Sequence, residues 1–260
     1  MFEPRSLTGE LAGIRTEHAP DALVLDCERD FETLGPAVAE SLGPLVDGLD
    51  PITYPDEWLP PEAPDVLHRY AADGFTIGMP GDGGVVWTAQ TTPKTILVKP
   101  RLRGSPDAFV DFLLADALVE AGLDFPEHFL GFFESACSDL AAATPLDSTG
   151  TYQLAAALYD AFCGLHTREV FIGWEDDRPR LHDAWVDAGE RLEPRLAALS
   201  NEVATGDTAF AAAAELACSG VKHDLDLPTP FGALDTRAYR EYGPEYAIEW
   251  TEKTFEKLDG

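Results

Sequence analysis

The spacing of apolar and polar positions changes character twice along the chain. Residues 1–72 read as helical with short connections, and the pattern predicts helices over 7–18, 36–49 and 65–72. The first ends at Ala19-Pro20, because a residue before proline is pushed out of the helical region. A proline-rich loop over 51–64 carries two aromatic anchors, Tyr54 and Trp58. At Gly74 the texture changes. Phe75 to Met79, 85–90 and 95–99 read as short strands, and Pro80-Gly-Asp-Gly-Gly84 reads as a turn of residues that tolerate or preset turn dihedrals. Three such strands in succession predict an antiparallel meander. From Ser105 onward the chain is helical again. Ser105-Pro106 is an N-cap followed by a proline suited to the first turn, and Gly122 is a natural stop. Further helices are predicted over 126–142, 151–172, 179–198, 207–222 and 244–258. The expected fold is α+β in one domain, 1–260. It is mostly α-helical, with a small antiparallel three-stranded meander near 74–100 between a helical part, 1–72, and a second, 105–258.

The helix after the meander carries the most suggestive chemistry. At about 100° per residue, Asp116 and Glu120 fall on one side together with Phe109, Phe112 and Leu113, opposite Asp107 and Asp111. Val110, Leu114, Ala117 and Leu118 make most of the remaining surface apolar, which predicts a central helix. Two carboxylates facing a core must be paired, hydrogen-bonded, protonated or metal-bound. They are either a structural ion-pair network or an acid–base pair opening into a cleft, since one carboxylate raises the pKa of its neighbour. Possible countercharges lie just upstream: residues 83–106 hold no acid, yet include Lys94, Lys99, Arg101 and Arg103. His166 and Arg168, on the predicted helix 151–172, are further candidates for such a site. No metal site is assigned.

Charge changes the picture at the level of the whole chain. There are 47 Asp and Glu against 18 Lys and Arg, a formal net charge of −29, and the acid is spread along the full length. With 45% hydrophobic residues the chain is not a disordered polyanion. Such a surface suits a protein that must stay hydrated in concentrated salt. It also argues against nucleic acid as a partner, because four cations gathered in an anionic surface lose affinity steeply as salt rises. The four cysteines, Cys27, Cys137, Cys163 and Cys218, are scattered without a C-x-x-C pair, which fits free thiols in a reducing cytoplasm better than a zinc or redox motif. The first residues do not read as a signal peptide, and no run approaches a membrane span. Gly78-Met-Pro-Gly-Asp-Gly-Gly84 lacks the G-K-[ST] ending of a phosphate loop and is followed by a strand, and no G-x-S-x-G elbow occurs.

Two resemblances rest on particular segments. Met79-Pro-Gly-Asp-Gly, Val98-Lys-Pro-Arg, Phe109-Val-Asp-Phe-Leu-Leu-Ala and Gly164-Leu-His-Thr-Arg-Glu-Val-Phe171 resemble a family of uncharacterised proteins from halophilic archaea, over nearly the whole chain. That resemblance implies no activity. More locally, a meander, an edge strand and a helix opening with Ser-Pro are similar to the core of zincin-type metallopeptidases, which carry H-E-x-x-H on that helix. Here Asp116, Ala117 and Glu120 stand where the first histidine, the general base and the second histidine would be, so the resemblance implies a degenerate scaffold without its metal chemistry. The expected function is that of a non-catalytic scaffold or interaction protein of the cytoplasm. It needs no cofactor, binds neither membrane nor nucleic acid, and leaves an unidentified protein partner open. The alternative is a metal-assisted hydrolase using Asp116 and Glu120.

Overall fold

In the computed structural model, residues 1–71, 75–79 and 81–258 are described. The predicted change of texture at Gly74 and the Pro80 of the glycine-rich turn lie outside them. In chain order the elements are β1 (Phe2–Pro4), α1 (Gly9–His18), β2 (Leu23–Cys27), α2 (Pro36–Ala39), β3 (Gly48–Leu49), α3 (Asp65–Ala71), β4 (Val85–Thr88), β5 (Thr91–Thr92), β6 (Thr95–Val98) and α4 (Asp107–Gly122). Then follow α5 (Phe129–Phe133), α6 (Cys137–Ala142), α7 (Ser148–Ile172), α8 (Trp174–Asp177), α9 (Pro179–Thr205), α10 (Phe210–Lys222), α11 (Arg237–Tyr242) and α12 (Pro244–Leu258). Contacts divide the chain into two compact units. The first comprises Met1–Tyr54, Arg69–Glu127 and Arg178–Ala184; the second comprises Pro55–His68, His128–Asp177 and Trp185–Gly260.

The first unit is built on a four-stranded sheet in the order β1-β2-β6-β4. It is mixed: β2 runs parallel to β6, while β1 and β4 are antiparallel to their neighbours. The predicted three-stranded antiparallel meander is therefore corrected. Its 85–90 and 95–99 strands survive as β4 and β6, but residues 75–79 form no strand, and Ile77 makes only an isolated bridge to Leu34. The missing partner is β2, whose run Leu23-Val-Leu-Asp-Cys27 is too short and apolar for periodicity to separate strand from helix. β6 is buried on both faces, as a central strand with a parallel neighbour should be. On one face Leu25, Cys27, Val86 and Leu97 of the strands join Leu34, Ala39, Leu42, Phe75 and Ile77 in a single apolar cluster. On the other side α4 packs against β4, β6 and α1. Gly122 closes α4 against α1 at a distance no side chain would permit, because a Cβ there would lie 2.3 Å from the His18 carbonyl oxygen.

The second unit is helical. Its centre is α7 packed along α10, through small residues: Ala157, Ala161 and Gly164 on one side, Ala213, Ala214, Ala217 and Cys218 on the other, all buried. Small side chains let the two backbones approach, and a Cβ on Gly164 would lie 2.9 Å from the Lys222 amide nitrogen. The Tyr239 hydroxyl donates to the Leu158 carbonyl at 2.6 Å inside this core. The predicted single helix over 126–142 is broken in two at Glu134, whose φ of 52° is left-handed. The predicted helix over 36–49 likewise gives way after α2 to a 3-10 turn over Glu40–Leu45 that contains Pro44.

Candidate functional site

Asp116 and Glu120 lie together on α4, but on its half-buried flank, not in the core. Phe109 and Leu113 on that flank are half-buried too, whereas Leu114, Ala115, Ala117 and Leu118 form the buried side. Helical spacing puts the pair on one side, but of the residues expected there only Phe112 is buried, because a helix apolar almost all round offers no contrast from which to choose its interior face. Glu120 accepts a hydrogen bond from the Trp87 indole at 3.3 Å. Lys94 lies over the same indole, 5.5 Å from its centre, and donates to the Ala121 carbonyl at 2.7 Å. This lysine therefore serves the C-terminus of α4, where unsatisfied carbonyls and the helix dipole favour a cation. No group of three or more His, Cys, Asp or Glu that could hold a metal occurs among the described residues.

The rest of the basic island goes elsewhere. Residues 94 and 99 flank a four-residue strand, so their side chains emerge at opposite ends of the sheet. Lys99 is 1% exposed and sits over the Phe31 ring at 4.8 Å, with its ammonium 3.5 Å from the Asp82 carbonyl oxygen. Burial lowers its pKa, and the neighbouring Asp82 opposes that. Burial pushes Asp82 up to about 6, against a 2.6 Å bond from the Met79 amide and the Lys99 charge. Arg101 bonds Asp30 at 2.9 Å and Glu32 at 2.6 Å, and those bonds hold both carboxyls below the usual range. Arg103 is exposed. Lys99 and Arg101 thus stitch the loops that follow the C-terminal ends of the parallel strands β2 and β6.

His166 and Arg168 lie on α7. The Nδ1 of His166 is 2.8 Å from the Phe162 carbonyl and therefore carries the hydrogen, while burial lowers the pKa of the ring. Arg168 pairs with Asp235 at 2.6 Å and Asp224 at 3.3 Å, tying α7 to the segments after α10. His166 and Arg168 belong to the second unit, and Asp116, Glu120 and the basic island to the first.

Two features were not marked in the sequence. Glu127 is half-buried in the first unit. It accepts from the Tyr70 hydroxyl at 3.2 Å, the Thr88 hydroxyl at 2.8 Å, the Ala89 amide at 2.6 Å and the Gln90 side-chain amide. Burial raises its pKa and these donors oppose the rise. With four donors around two oxygens, it is a structural anchor for the β4–β5 turn.

The second is a cavity of about 210 Å³ wholly within the second unit. Its inner wall is Leu67, Phe129, Leu140 and Ala155, all buried, and Cys137 adds a thiol that burial pushes up to about 12. Its outer part carries exposed Glu62 and half-buried Ser148, Thr151 and Tyr152. Phe129 holds Tyr152 edge-on, with ring centres 5.4 Å apart. At the head of the same helix, the His128 Nδ1 accepts from the Leu130 amide at 2.9 Å and caps α5. A cleft with an apolar floor and a few polar groups at the rim is the usual form of a small-molecule site. Its residues come from two loops and four helices spread over almost 100 positions, which no linear motif records.

Fold and site together define an α+β protein with a small mixed sheet and a helical unit holding an apolar pocket. The chain belongs to the family of unknown function DUF7089, which matches over residues 1–258. No curated protein and no solved structure matches it.

Proposed function

We propose that this protein acts by binding and not by catalysis, through the apolar pocket of its second unit. The observation that carries the reading is the pocket itself, a cavity of about 210 Å³ with an apolar inner wall and hydroxyls at its rim. The engagement of the sequence-named groups supports it: Lys94 serves a helix end, Arg101 and Arg168 sit in ion pairs, and Glu120 receives the Trp87 indole. The acidic composition, with a net charge of −29, supports a salt-adapted protein of a halophile. The four free, buried cysteines suit a reducing cytoplasm. Among the described residues no helix is long and apolar enough to cross a membrane.

The test is nuclear magnetic resonance of the protein in molar KCl against a set of small aromatic and aliphatic fragments of every charge type. Shifts confined to Phe129, Leu140, Ala155 and their neighbours are expected. A set that leaves those resonances unmoved would sink the binding reading. Metal analysis of protein purified in the same salt provides the opposite check. Metal content is expected to be the same in wild type and Glu120→Ala. Stoichiometric metal lost in that variant would favour the hydrolase reading of Asp116 and Glu120 instead.

A further inference from the structure

The class of molecule that fits the pocket can be argued from its size and its charge; this step rests on the binding reading above. An engineered apolar cavity of about 150 Å³ stays dry and takes benzene. In proportion, a cavity of about 210 Å³ takes roughly eight or nine heavy atoms. The inner wall of Leu67, Phe129, Leu140 and Ala155 offers dispersion and apolar burial but no countercharge. Among the described residues, the one charged side chain lining the pocket is Glu62, and it is exposed at the rim. A carboxylate or phosphate entering here would lose its hydration shell, meet no cation, and approach an acid on a chain of net charge −29. Anionic lipids, nucleotides and organic acids are poorly matched for that reason. The hydroxyls of Ser148 and Thr151 can both donate and accept, and so suit a neutral polar end.

We propose that the pocket takes an uncharged molecule with a single-ring or short alkyl body of about nine heavy atoms and one hydroxyl or amide end directed to Ser148 and Thr151.

Three probes of one shape test this by calorimetry in molar KCl: 2-phenylethanol, 2-phenylethylamine and phenylacetate. The alcohol is expected to bind saturably, with a Kd of roughly 0.1–1 mM for so small a ligand, and at least tenfold tighter than phenylacetate. Ala141→Leu, which adds a branched side chain at the pocket wall, is expected to weaken the alcohol at least tenfold while the protein stays folded. Should that variant unfold, Ala63→Leu fills the pocket from the loop side and carries the same expectation. Phenylacetate or the amine binding as tightly as the alcohol, or more tightly, would overturn the ligand class while leaving the binding reading in place. Alcohol binding unaltered in a folded filling variant would overturn the location. Failure of all three probes would overturn the class and, if the fragment set also leaves the pocket unmoved, the binding reading with it.

Discussion

Glu127 and His128 are neighbours in sequence, and both are side chains for which burial and hydrogen bonding decide the charge state. Glu127 is an acceptor for four donors, so replacing one oxygen with an amide NH₂ sets donor against donor. Glu127→Gln is expected to cost about 3 kcal/mol of unfolding free energy in molar KCl, read from urea melts. A cost under half of that would show the network to be adaptable. Burial lowers the His128 pKa from 6.5 to about 3. The unfolded chain therefore takes up this proton first. The stability contribution is complete above pH 6.5 and is lost as pH falls toward 3, a change on the order of 5 kcal/mol. His223, lowered to about 4 by burial, adds to the same acid limb. Asn is also a good N-cap, so His128→Asn keeps an acceptor for the Leu130 amide and is expected to flatten the curve of stability against pH over that range. Parallel curves for variant and wild type would disprove the assignment. Of these residues only the identities could be read from the sequence. Nothing in a glutamate before a histidine says that one gathers four donors from residues 37 to 57 positions away.

At the scale of elements, the long helices were legible, as were α1 and the short α3, whereas the short strand β2 was not. α4, α7, α9, α10 and α12 coincide with predicted helices, apart from their ends, because each runs over many turns and its spacing is read many times over. β2 is five residues long and becomes a strand only by pairing with β6, 72 residues later in register. Its parallel partnership also removes the simple meander that local pattern suggests. The packing of α7 on α10 gives a sharp test of close approach. Gly164→Ala places a methyl 2.9 Å from the Lys222 backbone nitrogen, a contact that neither rigid helix can readily relieve. It is expected to lower stability by about 1–3 kcal/mol, although alanine is the better helix former. A stabilised Gly164→Ala variant would mean that the helices separate freely. Gly122→Ala meets the His18 carbonyl in the same way at 2.3 Å and should be at least as costly.

At the scale of the whole molecule the net charge of −29 dominates. In dilute buffer this self-repulsion opposes the compact state, and at 1 M salt the screening length falls to about 3 Å. The melting temperature is expected to rise by about 10 °C or more between dilute buffer and molar KCl, measured by scanning calorimetry. A flat response would refute the salt-adapted reading. The ion pairs around Arg101 and Arg178 are partly exposed and contribute little at that ionic strength, so the gain comes from relief of repulsion. The sequence by itself determined the quantities that are sums or repeats: charge, the apolar fraction, the long helices and the scatter of cysteines. It also placed Asp116 and Glu120 on one flank of α4, because helical geometry fixes their angle. Tertiary structure alone decided which side of that helix is buried, where each cation of the island goes, that β2 and β6 are neighbours, and that two loops and four helices line a pocket. Those outcomes depend on contacts between residues far apart in the chain, and no local pattern encodes which distant surface a side chain will meet.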